Sequence, residues 1–281
     1  MSLTKLEASV VFDCGGDRLI GIHHGVEDQT PSTVVVNVVG GPQYRVGSHR
    51  QFVLTARFLA SAGFPCLRFD YRGMGDSAGE LRSFTSVSED IDVVVAWCRQ
   101  TYPDSKIVLM GLCDGASAAA IYGESTQVDG LILINPWVHR PDLAAKVQVW
   151  HYYRQRLLSW AFWRRLLTFQ VNVGAAAQDI GSGVSAAAQA GEATDNEFVD
   201  RMFSGLTKQK CPVLTLLSGD DLTAMEFQQL CRQDRAWRKL VGSWKQVDFP
   251  QADHTFSDPT QFANHNQVIT DWLSSLKLNE G

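Results

Sequence analysis

Lys106-Ile-Val-Leu-Met-Gly-Leu-Cys-Asp-Gly115 gives the clearest indication of how this chain folds. Its apolar residues from Ile107 to Met110 carry no charge, which is typical of a strand buried on both faces. A turn follows in which a glycine stands two residues before and two residues after Cys113, and an alanine-rich run that favours a helix comes next. A strand, a tight turn and a helix around one nucleophilic side chain are the pattern of a nucleophile elbow.

The residue at the centre of this turn is a cysteine, whereas the usual motif has serine. The turn would place the sulfur of Cys113 at the N-terminus of a helix, where backbone N–H groups and the helix dipole favour a thiolate. A buried cysteine in a glycine-rich turn is the alternative, because cysteine is often a core residue. Since the turn, its flanks and its position all agree, we expect Cys113 to be a catalytic nucleophile.

Composition narrows the possible functions. The 281 residues suffice for one large α/β domain or two small ones, with a sizeable core. A net charge of −5 and a pI near 5.8 argue against a general nucleic-acid or membrane-surface binder. The first residues lack the form of a secretion signal, and no uncharged apolar stretch approaches membrane-spanning length. We therefore expect a cytoplasmic protein that binds neither nucleic acid nor membrane.

The six cysteines form neither a CxxC pair nor a pattern with metal-ligand spacing. This usage fits a reducing compartment, with five thiols as small core residues and one as a reagent. The sequence implies no metal and no organic cofactor, and it leaves the oligomeric state open.

Strand and helix patterns alternate along most of the chain. Residues 8–12 and 19–26 predict two strands joined by a turn, as an antiparallel edge. Further strands are predicted at 33–39, 66–69, 107–110, 131–134, 213–217 and 245–249. Helices are predicted at 49–62, with Ser48 as its cap, and at 86–100, 227–238 and 261–276. This alternation indicates an α/β fold with a mostly parallel central sheet flanked by helices.

Four polar features follow strands of this predicted sheet: Gly40-Gly41, Cys113, Asp220-Asp221 and Asp253-His254. The carboxyl ends of parallel strands meet at one edge, where ligands bind in open α/β sheets. We expect His254 to take the proton from Cys113 and an aspartate to orient the imidazole.

The acid of this triad is either Asp220 or Asp221. We favour Asp221, because the farther residue reaches more easily into the loop beyond the strand, and Asp253 beside the base is a poorer candidate. Backbone N–H groups of Gly41 and Asp114 would stabilise an oxyanion.

The loop Asp70-Tyr-Arg-Gly-Met-Gly-Asp-Ser77 superficially resembles a phosphate loop, but it lacks GxxxxGK[ST]. We interpret its glycines as turn geometry, and Arg72 with the aspartates as a hydrogen-bond network.

The alternation stops after Pro136, which predicts a helical cap over residues 137–209 and a core made of 1–136 and 210–281. Between 137 and 169 there are six basic residues and one acid. They form either a site for an anionic part of the substrate or a solvated helical face. We expect Gln43, Trp137, Arg154 and Arg156 to contact the substrate.

Several of these segments resemble those of known proteins. The elbow, the Asp70–Ser77 loop, the cap and His254 resemble the α/β-hydrolase superfamily across nearly the whole chain, and a Cys-His-Asp triad is similar to that of dienelactone hydrolases. More closely, Gly40-Gly-Pro-Gln-Tyr-Arg-Val-Gly-Ser-His-Arg50, Gly111-Leu-Cys-Asp-Gly-Ala116 and Asn135-Pro-Trp137 resemble bacterial hydrolases associated with exosortase systems. This resemblance implies a cytoplasmic hydrolase near exopolysaccharide genes, without naming its substrate.

The predicted activity is hydrolysis of a small-molecule ester or thioester through an S-acyl intermediate on Cys113. Cysteine suits thioesters, because exchange of one thioester for another is nearly isoenergetic. One alternative is an acyltransferase in which an alcohol or amine replaces water. Another is a binding protein without catalysis on the same fold, since a fold does not fix function.

Overall fold

A single eight-stranded sheet runs through the computed structural model, which describes residues 7–26, 30–40, 44–139 and 195–276. The strand order is β1-β2-β4-β3-β5-β6-β7-β8. The strands are β1 (Glu7–Cys14), β2 (Asp17–His24), β3 (Thr33–Val38), β4 (Cys66–Phe69), β5 (Lys106–Leu112), β6 (Gly130–Ile134), β7 (Val213–Asp220) and β8 (Lys245–Asp253).

The strands pair in the directions that the sequence predicts, with an antiparallel edge and an otherwise parallel sheet. β1 pairs antiparallel with β2, and β2 pairs antiparallel with β4, so the predicted antiparallel edge is confirmed. All other pairs, from β4–β3 to β7–β8, are parallel. The carboxyl ends of β3, β5, β6, β7 and β8 therefore share one edge of the sheet. Every residue of β3 and β6 is buried, which explains their nearly uninterrupted apolar sequences.

Seven α-helices accompany the sheet within the described ranges. They are α1 (Gln51–Ser61), α2 (Ser88–Thr101), α3 (Asp114–Tyr122), α4 (Asp195–Lys208), α5 (Leu222–Gln233), α6 (Arg235–Val241) and α7 (Pro259–Leu276). α1 contacts α7, where Thr55 Oγ1 donates to Asn266 Oδ1 at 3.0 Å. α3 packs against α4, and a side chain at Gly205 would collide with the carbonyl of Ala120. Of the predicted cap range 137–209, only residues 137–139 and 195–209 are described; residues 140–194 lie outside the described residues.

Two helix boundaries differ from the prediction. The helix expected at 227–238 is two helices, because Asp234 accepts hydrogen bonds from Ala236 and Trp237 and so starts α6. Ser48 does not cap α1: Ser48–Arg50 is a short 3₁₀ turn, and α1 begins after Arg50, which has a φ of 65°.

The loop after β4 contains the expected hydrogen-bond network, but with other partners. Arg72 binds Asp90 of α2, with its guanidinium 2.8 Å from Oδ2 and its backbone N–H donating to Oδ1 at 2.8 Å. Asp70 instead pairs with Arg45, whose backbone N–H donates to Oδ1 at 2.7 Å. The loop is therefore fixed by ion pairs to segments on either side of it in the sequence.

Candidate active site

Cys113 stands at a strained turn between β5 and α3. Its φ of 59° and ψ of −125° lie where side chains other than glycine rarely go. The flanking glycines allow this turn, because a Cβ at Gly111 would collide with the backbone of Gly115. A Cβ at Gly115 would lie 2.5 Å from the carbonyl oxygen of Val38. The sequence pattern that predicted an elbow thus corresponds to two close backbone contacts.

Backbone hydrogen bonds fix the position of this turn. The N–H of Cys113 donates to the carbonyl of Ile134 at 2.9 Å, which extends the β5–β6 pairing by one residue. The carbonyl of Cys113 accepts from Ala116, Ser117 and Trp137 at 3.0, 3.1 and 3.2 Å. The half-buried thiol therefore sits at the N-terminus of α3, at the carboxyl edge of the sheet.

Asp221 and His254 come together beside this turn, although 33 residues separate them in the sequence. Nδ1 of His254 lies 2.9 Å from Oδ2 of Asp221. Asp221 is buried and also caps α5, accepting from the N–H groups of Thr223 and Ala224 at 3.2 and 3.1 Å. Asp220 is exposed at the end of β7, where it pairs in register with Asp253 of β8. Of the two candidate acids, Asp221 is the one in contact with the imidazole.

Asn135 holds the loop that carries His254 in place, a role that the sequence patterns do not indicate. Its Nδ2 donates to the carbonyl of His254 at 3.0 Å and to Oγ of Ser218 at 2.9 Å, while its Oδ1 accepts from Ser218 N–H at 2.8 Å. Asn135 has a φ of 44°. The available signal was an asparagine between a buried strand and a proline, at the same sheet edge as the other polar features.

Asp253, the poorer candidate for the acid, binds the turn that follows His254. Its Oδ1 accepts from the N–H groups of Thr255 and Ser257 at 3.1 and 2.9 Å. These bonds shape the turn that follows His254.

The electrostatics of His254 depend on both of its neighbours. Burial alone would lower the pKa of His254, but hydrogen bonds to Asp221 and Cys113, together with their negative charges, raise this pKa to about 10. The imidazole is therefore protonated at neutral pH when both partners are charged.

The other five thiols have a different environment. Burial raises the pKa of Cys66, Cys98 and Cys231 to about 12 and that of Cys211 to about 11. Burial also raises the pKa of Cys14. All six cysteines are free thiols, and these five are suited to packing rather than to nucleophilic chemistry at neutral pH.

The predicted oxyanion hole is only partly within the described residues. Asp114 is the first residue of α3, immediately after Cys113, so its N–H belongs to the helix N-terminus. Gly41 lies outside the described residues, but Gly40 is described. A Cβ there would collide with the side chain of Asp114 and the N–H of Gly115. The chain leaving β3 therefore passes directly against the N-terminus of α3.

Trp137 is the one predicted substrate contact that the structure describes; Gln43, Arg154 and Arg156 lie outside the described residues. Its ring stacks on Phe198 of α4, with centroids 5.0 Å apart, and Phe84 meets both rings edge-on. The backbone N–H of Trp137 binds the carbonyl of Cys113. An aromatic surface thus begins close to Cys113.

In residues 7–26, 30–40, 44–139 and 195–276, no group of three or more histidine, cysteine, aspartate or glutamate side chains is arranged to hold a metal ion. Within the same ranges, each helix is too short or too polar to cross a membrane.

Solved structures with the same architecture are esterases and related hydrolases. An esterase from Pyrococcus furiosus, Pf2001, is 17% identical, with a TM-score of 0.63 over 96% of this chain and 92% of that one. Est1E from Butyrivibrio proteoclasticus, solved with ferulic acid, is 15% identical, with a TM-score of 0.66 over 96% and 100%. Dienelactone hydrolase from Anabaena variabilis is 16% identical, with a TM-score of 0.60 over 96% and 97%. The predicted α/β-hydrolase fold is confirmed.

At the level of sequence, a comparison with the curated proteins finds no match. A family described as serine aminopeptidase, S33, matches residues 34–221, which is well over half of the chain and includes the elbow and Asp221. The chain therefore belongs to the serine aminopeptidase, S33, family of hydrolases.

Proposed function

We propose that this protein is an acyl hydrolase that cleaves an ester or thioester through a Cys113-His254-Asp221 triad. The observation that supports the proposal most strongly is the combination of a strained, half-buried Cys113 with a hydrogen-bonded His254 and with Asp221 at 2.9 Å from the imidazole. The esterase-like fold supports the same reaction class. The members of this constellation correspond in role to nucleophile, base and orienting acid.

The first half of the reaction transfers the acyl group to the enzyme. The thiolate of Cys113 attacks the carbonyl carbon, and a C–S bond forms while the carbonyl oxygen becomes an oxyanion. The N–H of Asp114, and in this proposal that of Gly41, donate to the oxyanion. As the tetrahedral intermediate collapses, the bond to the leaving alcohol or thiol breaks, and His254 gives its proton to that group.

The second half releases the acid. Acylation removes the negative charge of Cys113, which is one of the two causes that raise the pKa of His254. The neutral imidazole then takes a proton from water, whose oxygen bonds to the acyl carbon. Collapse of this intermediate breaks the C–S bond, releases the carboxylic acid and restores the thiolate and imidazolium pair.

The cysteine favours thioesters among the possible substrates. The family description names serine, whereas position 113 of this chain is cysteine. Transfer from a thioester to Cys113 exchanges one thioester for another, so the acyl-enzyme forms with little free-energy change. Esters remain substrates of the same chemistry, in keeping with the esterases that share the fold.

Substrate selection belongs, in this proposal, to a cap formed by residues 137–209. The aromatic cluster of Trp137, Phe84 and Phe198 beside the elbow supports a binding surface for the substrate at the start of the cap. Gln43 would contact the substrate from the loop after β3. Arg154 and Arg156 would bind an anionic part of the substrate.

The cellular setting rests on the motifs alone. The segments at Gly40–Arg50, Gly111–Ala116 and Asn135–Trp137 support a bacterial hydrolase associated with an exosortase system and located in the cytoplasm. Fractionation of cells that express the chain tests the location. Recovery of the protein with the membrane or outside the cell would contradict it.

The proposed reaction is tested by intact-mass analysis after incubation with a panel of acyl thioesters and esters. We expect release of the acid by the wild type, an acyl adduct on the protein, and loss of both in Cys113→Ala. Cys231→Ala is the matched control, because Cys231 is a half-buried thiol on α5, and it should behave as wild type. Product analysis with alcohols and amines present separates hydrolysis from acyl transfer. The proposal fails if no panel member gives acid or adduct, or if Cys113→Ala retains turnover.

A further inference from the structure

The segment Ile134–Trp137 binds the backbone of the proposed nucleophile on both sides. β6 ends at Ile134, whose carbonyl accepts from the N–H of Cys113 at 2.9 Å. Three residues later, the N–H of Trp137 donates to the carbonyl of Cys113 at 3.2 Å. Both polar groups of the Cys113 backbone are therefore bonded to this one short segment.

Asn135, within the same segment, bonds to the backbone of the proposed base. Its Nδ2 donates to the carbonyl of His254 at 3.0 Å. Its backbone N–H donates to the carbonyl of Leu216 in β7 at 2.9 Å, and its Oδ1 accepts from the N–H of Ser218 at 2.8 Å. The carbonyl of His254 is thus bonded to a side chain that is itself fixed to the central sheet.

The conformation and burial of Asn135 suit this role. Its φ of 44° lies in the left-handed region, where asparagine is found more often than most other side chains. Its exposed fraction is 0%, so each polar atom of the amide needs a partner inside the protein. Nδ2 has two hydrogens, and it bonds both the carbonyl of His254 and Oγ of Ser218, the latter at 2.9 Å. These bonds fix the orientation of the amide.

The loop after β8 has a second side-chain contact, at the surface. Nε2 of His49 lies 3.1 Å from the carbonyl of Thr255, the residue after His254. His49 is exposed, so water competes for this contact. The buried bond from Asn135 is therefore expected to determine the position of the His254 backbone.

We propose that Asn135 is a positioning residue, which sets the distance between the thiol of Cys113 and the imidazole of His254 by bonding His254 to the segment that binds Cys113. The inference rests on the proposed function, because it concerns the geometry of the proposed nucleophile and base. Proton transfer between two such groups requires hydrogen-bond distance. A displacement of about 1 Å can lower the rate by about 10²-fold.

The test is Asn135→Gly, assayed by hydrolysis of one acyl thioester and by alkylation of Cys113. Glycine adopts the positive φ without strain, so the substitution removes the amide alone. We expect kcat to fall by about 10²-fold and KM to change by less than about threefold, because the chemical step is impaired and binding is not. Alkylation by iodoacetamide at pH 7 should slow by at least about threefold, and its pH profile should move to higher pH, because a displaced His254 stabilises the thiolate less.

Asn266→Gly is the matched control. Asn266 is also a buried asparagine with a side-chain hydrogen bond, which joins it to Thr55 where α7 contacts α1. Loss of this bond should lower the free energy of unfolding. It should leave kcat and the pH profile of Cys113 alkylation unchanged, since the bond has no connection to the nucleophile or the base.

The outcomes separate this inference from the proposed function. A kcat and an alkylation rate within about twofold of wild type in folded Asn135→Gly would overturn the inference and leave the hydrolase intact, and so would equal losses in Asn266→Gly. If Asn135→Gly does not fold, Asn135→Asp replaces it. Aspartate keeps the shape and tolerates the positive φ but lacks the donor to the His254 carbonyl, so it must show the same losses. Absence of acid release by the wild type would count against the proposed function, whereas the alkylation rates test the role of Asn135 without a substrate.

Discussion

The loops that leave β4 and β5 are rich in glycine and acidic residues, but they are held in different ways. The β4 loop is fixed by buried ion pairs: Asp70 with Arg45, and Arg72 with Asp90. The β5 loop instead keeps a half-buried thiol in a strained conformation, and its partner His254 comes from the far end of the chain. Charges that satisfy one another stabilise a fold. A strained nucleophile beside a distant acid–base pair is the arrangement expected of a reactive site.

The largest effect that tests this difference concerns Asp220, the last residue of β7, and Asp221, which follows it. Asp221→Asn should lower turnover by about 10²- to 10⁴-fold, because the amide neither holds the imidazole in the required tautomer nor stabilises the imidazolium. Asp220→Asn should change turnover by less than about threefold, since its carboxylate is exposed at the strand end. Steady-state kinetics on one thioester measures both. A large loss of turnover in Asp220→Asn with a mild loss in Asp221→Asn would identify Asp220, and not Asp221, as the acid.

Loss of an ion pair that fixes the β4 loop should instead lower the free energy of unfolding. Asp90 is fully buried, and Asp90→Ala leaves the Arg72 guanidinium without its main partner. Loss of one member of a buried ion pair costs about 3–5 kcal/mol in free energy of unfolding. Urea denaturation should show this loss, while Asp92→Ala, an exposed aspartate on the same helix, stays within about 0.5 kcal/mol. Similar effects of the two substitutions would contradict a structural role for the ion pair.

Much of the framework was predictable from local sequence. The valine-rich β3 and the uncharged residues 107–112 of β5 have the pattern of buried strands, because strands covered on both faces lack polar alternation. The glycine spacing around Cys113 identified the elbow, since only a chain without a Cβ at these positions can make the turn. Helix ends were less predictable: Ser48 has capping chemistry, but Arg50, with its positive φ, occupies the cap position, so α1 begins two residues later than predicted.

Contacts between distant segments were not predictable in this way. Asn135 binds Ser218 and His254, which lie 83 and 119 residues away, and nothing near Asn135 in the sequence indicates either partner. The pairing of Arg45 with Asp70 likewise depends on how β3 and β4 lie side by side. Likewise, nothing in the local sequence indicates that the buried amide atoms Nδ2 of Asn37 and Nε2 and Oε1 of Gln51 lack hydrogen-bond partners, because this depends on how β3 and α1 pack.

We propose that Cys113 alone among the six thiols is activated for nucleophilic attack. The relevant difference is electrostatic: burial raises the pKa of the other five thiols, whereas Cys113 faces a histidine whose own pKa is raised from 6.5 to about 10. Because a raised pKa keeps the imidazole protonated below about pH 10, the stabilising charge is present throughout the neutral range and is lost above it.

Limiting iodoacetamide at pH 7, followed by peptide mapping of all six cysteines, tests this claim most directly. We expect Cys113 to be modified first and His254→Ala to slow its modification, because the thiolate then loses its cationic partner. Modification of Cys211 or Cys231 as fast as Cys113 in the folded protein, or a rate at Cys113 that does not change in His254→Ala, would contradict it.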